Sequence, residues 1–159
     1  MSSIVRYRLY QPGDFAALYA VEELCFEPPF RFSRGYMRQL VRSGNSATWI
    51  AEENSELIGF AVVEWTSSEE KTSAYIETIE VTQSRRGQGI GTELLRQVEG
   101  SAEAAGAGAI WLHVDAENTA AICLYESRGY LRQSREEHFY ARHRAAFVYG
   151  KKLAARPTS

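Results

Sequence analysis

The stretch Val81-Thr82-Gln83-Ser84-Arg85-Arg86-Gly87-Gln88-Gly89-Ile90-Gly91-Thr92-Glu93-Leu94-Leu95 reads as the end of an extended run, a glycine-rich turn and the first turns of an amphipathic helix. Glycine lacks the Cβ that would keep a ligand away from the backbone. The helix that follows starts with N–H groups that have no intrahelical acceptor and with the positive end of its dipole, which together favour a phosphate. Arg85 and Arg86 add positive charge to the same rim.

Spacing narrows the ligand. A P-loop closes its turn with Gly-Lys-Ser/Thr, whereas Gly91 is followed by Thr92 and Glu93. A dinucleotide fingerprint places a third glycine two positions beyond Gly91, where Glu93 stands. What remains is Arg86-x-x-Gly89-x-Gly91 after an extended segment, which resembles the pyrophosphate loop of the Gcn5-related N-acetyltransferases, whose cosubstrate is acetyl-CoA. A glycine turn with no ligand is the plain alternative for so short a motif, so the rest of the chain has to decide.

Working outward, Ile4 to Tyr10 alternates as a strand does, and Asp14 is placed to cap a helix through about Phe26 with Phe15, Leu18, Val21 and Leu24 inward. A second helix is expected from about Ser33 to Val41. Runs 48–52 and 57–65 flank the turn-forming Glu53-Asn54-Ser55 and predict a hairpin, and a further strand spans 73–81. Beyond the glycine turn, Leu94, Leu95, Val98 and Ala102 share one helical face. The run 109–114 is almost wholly apolar, as in a buried strand. Asn118 suits the N-cap of a helix ending near Arg128 and Gly129, and two strands, about 130–140 and 145–153, close the chain. The order β-α-α-β-β-β-α-β-α-β-β describes an α/β fold with a mixed central sheet flanked by helices, and residues 1–159 are expected to form a single domain. It is also the order of the acyl-CoA N-acyltransferase fold of the family named above.

Bulk properties exclude several classes. Hydrophobic residues make up 45% and charged residues 24% of the chain, as in ordinary globular proteins. A net charge of −2 leaves no footprint for nucleic acid or membrane. Arg34, Arg38 and Arg42 follow one helical face, and Arg128, Arg132, Arg135, Arg142, Arg144, Lys151 and Lys152 crowd the last third; solvated faces explain both groups. There is neither a signal-peptide core nor a spanning segment, so a cytoplasmic location is expected. Cys25 and Cys123 make no disulfide framework or metal pattern, and no metal is expected.

A second motif lies at His113-Val114-Asp115-Ala116-Glu117-Asn118-Thr119-Ala120-Ala121-Ile122-Cys123-Leu124-Tyr125-Glu126-Ser127-Arg128-Gly129-Tyr130. It resembles the Asn-x-x-Ala-x-x-Leu-Tyr-x-x-x-Gly-Phe/Tyr segment of protein α-N-acetyltransferases, including the bacterial ribosomal-protein alanine type. The resemblance covers nearly the whole chain. It implies that the backbone of Ile79, Glu80 and Val81 pairs with the pantetheine arm, and that Arg86, Gly87, Gln88, Gly89, Ile90, Gly91 and Thr92 cradle the pyrophosphate. It further implies that Asn118 hydrogen-bonds the cosubstrate and Tyr125 protonates the departing thiolate.

The chemistry makes matching demands: a neutral amine, a donor for the developing oxyanion and an acid for the leaving sulfur. A strand that splays from its neighbour near Val81 would leave such a donor free. His113 departs from the bacterial alanine type, which places Glu there as the base. Leu112-His113-Val114 and Tyr75-Ile76 are similar instead to eukaryotic-type N-terminal acetyltransferases that accept methionine-starting peptides, in which Tyr and His together deprotonate the amine through water. The resemblance therefore implies Tyr75 and His113 as the base pair; read alone, a strand histidine is a core group. Glu77 shares the alternating face of Tyr75 and competes as base or amine anchor, while Glu80, one pleat out of phase, falls off that site.

Family members grip the acceptor with the helix-linking loop and a late aromatic pair, which correspond to Phe26-Glu27-Pro28-Pro29-Phe30 and His138-Phe139-Tyr140. Phe26, Glu27, Pro28, Glu77 and Tyr140 are thus the expected acceptor contacts. The expected activity is transfer of acetyl from acetyl-CoA to an amine in a ternary complex, with a peptide or protein N-terminus as the partner. Acetylation of a small amine, polyamine or lysine is the alternative, and a CoA-binding module without turnover a third reading. Cys123 is not expected to carry an acyl group, and the sequence leaves the oligomeric state open between monomer and homodimer.

Overall fold

The computed structural model describes residues 4–154. After β1 (Arg6–Leu9), a 3-10 turn at Pro12–Asp14 leads into α1 (Phe15–Cys25), and a loop joins it to α2 (Arg34–Arg42). β2 (Ser46–Glu53), β3 (Glu56–Ser68) and β4 (Lys71–Val81) then form a meander. It is followed by α3 (Ile90–Ala104), β5 (Ala109–Asp115), α4 (Thr119–Ser127), β6 (Leu131–Ala141) and β7 (Arg144–Lys152). The strands build a 7-stranded sheet in the order β1-β2-β3-β4-β5-β7-β6. β4 and β5 run parallel, and the other neighbours antiparallel, giving the mixed α/β sheet read from the sequence.

Helices cover both faces, which is why β3 reads as a continuous apolar run instead of an alternating one. Ile50, Phe60 and Val62 pack beneath α1 and α2 against Phe15, Leu18, Met37 and Leu40. Their neighbours Ala51, Ala61 and Val63 face the other way, onto Leu94, Leu95 and Val98 of α3. Each fully buried Leu, Val or Phe contributes about 1.5–3 kcal/mol. The β2–β3 hairpin turns through Asn54 and Ser55, at φ 52° and 66°, the conformation whose twist matches that of paired strands.

Three local expectations change. Leu24 is 82% exposed, because it lies about 180° around the helix from Phe15; Tyr19 and Glu22 take the inward positions. Asp14 does not cap α1; its carboxylate accepts from the Arg8 guanidinium and from the Gln11 N–H. Arg34 and Arg38 on α2 lie over the Tyr19 and Phe15 rings at 4.6 and 4.0 Å, so these cations are packing groups of the fold.

A break in β4 matters most for function. The pairing of β3 with β4 shifts between Val62 and Val63, leaving Glu77 as an extra residue. Ile76 and Ile79, three positions apart, consequently both pack on the α3 side. The same slip returns Glu80 to the face on which Tyr75 and Glu77 lie, contrary to the unbroken pleat assumed from the sequence.

Candidate active site

β4 and β5 are paired only from Ser73↔Ala109 to Ile76↔Leu112. Past Ile76 they diverge, so the β4 edge facing β5 at Thr78–Val81 has, among the described residues, no strand to satisfy its backbone. Into the opening fits a cleft of about 710 Å³ lined by Ile79, Glu80 and Val81 from β4, the glycine turn, and Asn118 and Tyr125 from the α4 segment. Arg86, Gly87, Gly89, Ile90, Gly91 and Thr92 all line it, whereas Gln88 is not among the lining residues. Gly87 and Gly89 adopt φ 77° and 84°, a region that side chains with a Cβ enter only at a cost; Gly89 sets the first turn of α3 from there. The shape and donors fit a long ligand with an anionic end: free strand edge, then glycine turn, then helix N-terminus.

The two arginines of the rim differ. Arg85 is paired with Glu53. Arg86 folds back so that its Nε donates to the Val81 carbonyl at 3.0 Å, with a terminal nitrogen 3.8 Å from the Cys25 sulfur. Asn118 is the N-cap read from the sequence: its Oδ1 accepts from the Ala121 N–H at 3.1 Å, which leaves its amide group as the donor available to the cleft. Tyr125 is 7% exposed, and burial raises its hydroxyl well above the ordinary tyrosine range. It is held there as a protonated donor.

On the other side of the strand gap, the Tyr75 hydroxyl lies 2.9 Å from His113 Nδ1. The parallel register explains the meeting, since Tyr75 sits opposite Trp111 and His113 is the next residue on that face. Tyr75 also packs on Trp111 with ring centroids 4.5 Å apart. Burial, and next the charge of Glu77, raise the Tyr75 hydroxyl, so it acts as a neutral hydroxyl in contact with an imidazole.

The wall beyond this pair is aromatic. Pairing of β6 with β7 is interrupted between Glu136 and Ala141, with His138 at φ 57°. The detour lays Phe139 flat on His113, centroids 4.0 Å apart and planes 8° from parallel. Phe139 meets Tyr140 at 4.9 Å, and Tyr140 meets Phe30 of the α1–α2 loop at 4.8 Å. Arg144 lies over Phe30 at 5.1 Å while pairing with Asp115 at 2.7 Å. Of the residues expected on this loop, Phe26 lines the cleft described above, and Glu27 and Pro28 are exposed; Phe30 is the one that closes onto Tyr140.

Two pairs of carboxyl groups flank the site. Glu77 accepts from the Tyr36 hydroxyl at 3.2 Å. Burial, and then hydrogen bonding and repulsion from Glu64, raise it from 4.5 to about 8. Glu80 and Glu22 are buried between β4 and α1. Glu22 accepts from the Phe32 N–H and Glu80 from the Thr78 hydroxyl. Burial, followed by hydrogen bonding to Glu22, raises the Glu80 carboxyl well above the ordinary carboxylate range. Tyr36, Glu64, Trp111 and Glu136 were not singled out by sequence; only their position in the folded chain brings them here. Among the described residues no group of three or more His, Cys, Asp or Glu side chains could hold a metal, and no helix is long and apolar enough to cross a membrane.

Comparison with known proteins agrees with this fold. A family profile described as "Acetyltransferase (GNAT) family" matches residues 15–130. The chain is similar to histone acetyltransferase MCC1 of Arabidopsis thaliana, 28% identical over 145 residues, 77% of this chain and 58% of that protein. It is likewise similar to N-alpha-acetyltransferase 30 of Schizosaccharomyces pombe, 28% identical over 150 residues, 94% of this chain and 97% of that protein. The chain spans about half the length of the first curated relatives it matches, 58% of MCC1 and 45% of the streptothricin acetyltransferase of Streptomyces lavendulae. Among solved structures, Arabidopsis thaliana NAA60 in complex with a bisubstrate analogue superposes with a TM-score of 0.86 at 24% identity, covering 96% of this chain and 100% of that one. The Escherichia coli ribosomal-protein-S18-alanine N-acetyltransferase does so with 0.83 at 21% identity, covering 98% of each; at these identities both speak to the fold. With the family profile matching 15–130, most of the described chain, this protein belongs to the acetyltransferase (GNAT) family.

Proposed function

We propose that this protein is an acetyl-CoA-dependent N-acetyltransferase acting on the α-amino group of a peptide or protein N-terminus. The observation that carries the reading is the 2.9 Å contact between Tyr75 and His113, set between the cosubstrate cleft and the aromatic acceptor wall. The similarity to N-alpha-acetyltransferase 30, which extends over 97% of that protein, supports it.

Acetyl-CoA supplies an acyl group activated by its thioester. Around it, the β4 edge at Ile79–Val81 offers the backbone groups that would hold the pantetheine arm, and the turn from Arg86 to Thr92 the pyrophosphate. Gln88 would take part through its backbone at most, and Arg86 would have to leave Val81 to reach a phosphate. An unpaired N–H of the divergent strand serves as oxyanion donor. Tyr125, buried and protonated, gives its proton to the leaving sulfur. Tyr75 and His113 take the proton of the attacking amine, and Phe30, Phe139 and Tyr140 present an apolar face to the acceptor's first side chain.

The cost of deprotonating the acceptor favours the α-amine. A free α-amino group has a pKa of about 7.7–8.0 against about 10.4 for lysine, so deprotonating lysine near neutrality costs about 3.5 kcal/mol more. A tyrosine paired to an imidazole suits the easier task. The Glu64–Glu77 pair beside Tyr36 and the similarity to streptothricin acetyltransferase favour a second reading, a small polyamine-like acceptor. The two separate in one assay of CoA release: free N-terminal peptides should turn over at least an order of magnitude faster than polyamines or Nα-blocked lysine peptides. The reverse order would replace the first reading by the second.

A further inference from the structure

We propose that Glu136 is a positioning residue for the base pair, accepting the Nε2 proton of His113 so that Nδ1 is left unprotonated toward Tyr75. The proposal rests on the acetyl-transfer reading above and adds a residue that neither the motifs nor the family resemblance singles out.

His113 is nearly buried, its side chain 10% exposed, and one Glu136 carboxylate oxygen stands 3.1 Å from Nε2. Despite this approach, Nε2 has no completed hydrogen bond among the described residues. A small rotation of the glutamate completes it. An orphaned ring nitrogen in such a place costs about 1–3 kcal/mol, which favours that rotation. The sheet explains how a strand two positions away can reach. His113 pairs with Val148 and Glu136 with Ala146, which puts the two side chains on one face with β7 between them. Strands lie about 4.8 Å apart, so the gap is about two strand spacings, with the small Ala146, the register partner of Glu136, on the same face of the intervening strand. Phe139, stacked at 4.0 Å, fixes the ring plane, and the T-shaped contact with Trp111 at 5.4 Å fixes its edge. The two nitrogens therefore face two defined partners.

A carboxylate only accepts, so its presence at Nε2 selects the Nε2–H tautomer. Nδ1 then carries the lone pair, and the Tyr75 hydroxyl donates to it. The Tyr75 oxygen keeps its own lone pairs for the acceptor. One amine proton can pass to Tyr75 Oη as the Tyr75 proton passes to Nδ1, and the positive charge that arrives on the imidazole is countered by the Glu136 carboxylate. That carboxylate is 48% exposed, which leaves it in contact with water.

The test reads the tautomer directly. Long-range proton–nitrogen NMR of uniformly labelled protein above neutral pH should show His113 as Nε2–H, its signals assigned by their loss in His113→Ala among the three histidines of the chain. Glu136→Ala should shift the ring to a mixture or to Nδ1–H and lower kcat on the order of 10-fold with an unchanged KM for acetyl-CoA. Glu136→Gln, whose amide oxygen still accepts, should keep the tautomer and lose less activity. Glu136→Asp, too short to cross β7, should behave as the alanine variant. Glu137→Gln, which alters the neighbouring exposed carboxylate paired with Arg135, should change neither. An unchanged His113 tautomer in Glu136→Ala, or equal losses in Gln and Ala, would overturn the proposal. The spectrum needs no acceptor, so a wild type inactive on every amine would sink the acetyl-transfer reading while leaving the tautomer result intact.

Discussion

Replacing Tyr75 by Phe keeps the ring against Trp111 at 4.5 Å and removes one hydroxyl, the group 2.9 Å from His113 Nδ1. Two magnitudes follow. The lost hydrogen bond is worth about 1 kcal/mol net, which for a domain of this size lowers Tm by about 2–4 °C. The catalytic loss is much larger, because a positioned acid–base group contributes about 10²–10⁴-fold. Tyr75 does not line the cleft proposed for acetyl-CoA, so KM for acetyl-CoA should be unaffected. His113→Ala removes the other half of the same relay. Groups that act as one unit are not additive, so Tyr75→Phe with His113→Ala should turn over about as slowly as either single variant. Steady-state kinetics on one α-amino peptide, with Tm as the folding control, decides the matter. Multiplying losses in the double variant, or a raised KM for acetyl-CoA with kcat intact, would refute the argument that the two side chains form a single base.

Other expectations follow from the same geometry. Tyr125→Phe should lower kcat on the order of 100-fold with little change in KM for acetyl-CoA; wild-type turnover would remove it as the acid. Burial and Glu64 raise Glu77 from 4.5 to about 8, so the folded chain retains a proton that the unfolded chain releases. Stability is then fully present below about 4.5 and lost as pH rises through about 8. Thermal melts should show Glu77→Gln gaining on wild type across that window, and a constant offset would contradict the pairing. At Gly89, φ 84° makes Gly89→Ala strained by about 1–2 kcal/mol, and its place in the cleft should raise KM for acetyl-CoA as well as lower Tm. A Cβ on Gly59 would come 2.7 Å from the Glu80 carbonyl; Gly59→Ala should displace the cleft strand and weaken acetyl-CoA binding measured by calorimetry.

Sequence made the cleft legible because its demands fall on the backbone. Glycines at Gly87 and Gly89, a capping Asn118 and an amphipathic α3 each announce a local geometry. Tyr75 and His113 were legible through resemblance, and the parallel register of β4 and β5 supplies the reason they meet. The slip at Glu77 was not read, although Ile76 and Ile79, three apart and both inward, cannot share a face on an unbroken strand. Assuming that regular pleat misplaced Glu80. Leu24 was misplaced by counting apolar residues without following the helical angle. The surroundings of Tyr75 and His113 were harder because Tyr36, Glu64 and Glu136 reach them from separate elements. The interrupted pairing that delivers Phe139 and Tyr140 lies on β6, whose nearly continuous exposure carries no alternating signal to read.

The central claim is that an α-amine, in preference to a lysine amine, receives the acetyl group. One peptide carrying a free N-terminus followed by an apolar residue, with a lysine farther along, presents both amines to the same enzyme molecule. Tandem mass spectrometry of the first product formed with acetyl-CoA locates the added group. The account predicts acetyl on the N-terminal nitrogen with the lysine unmodified, and acetyl on the lysine with the N-terminus still free would contradict it.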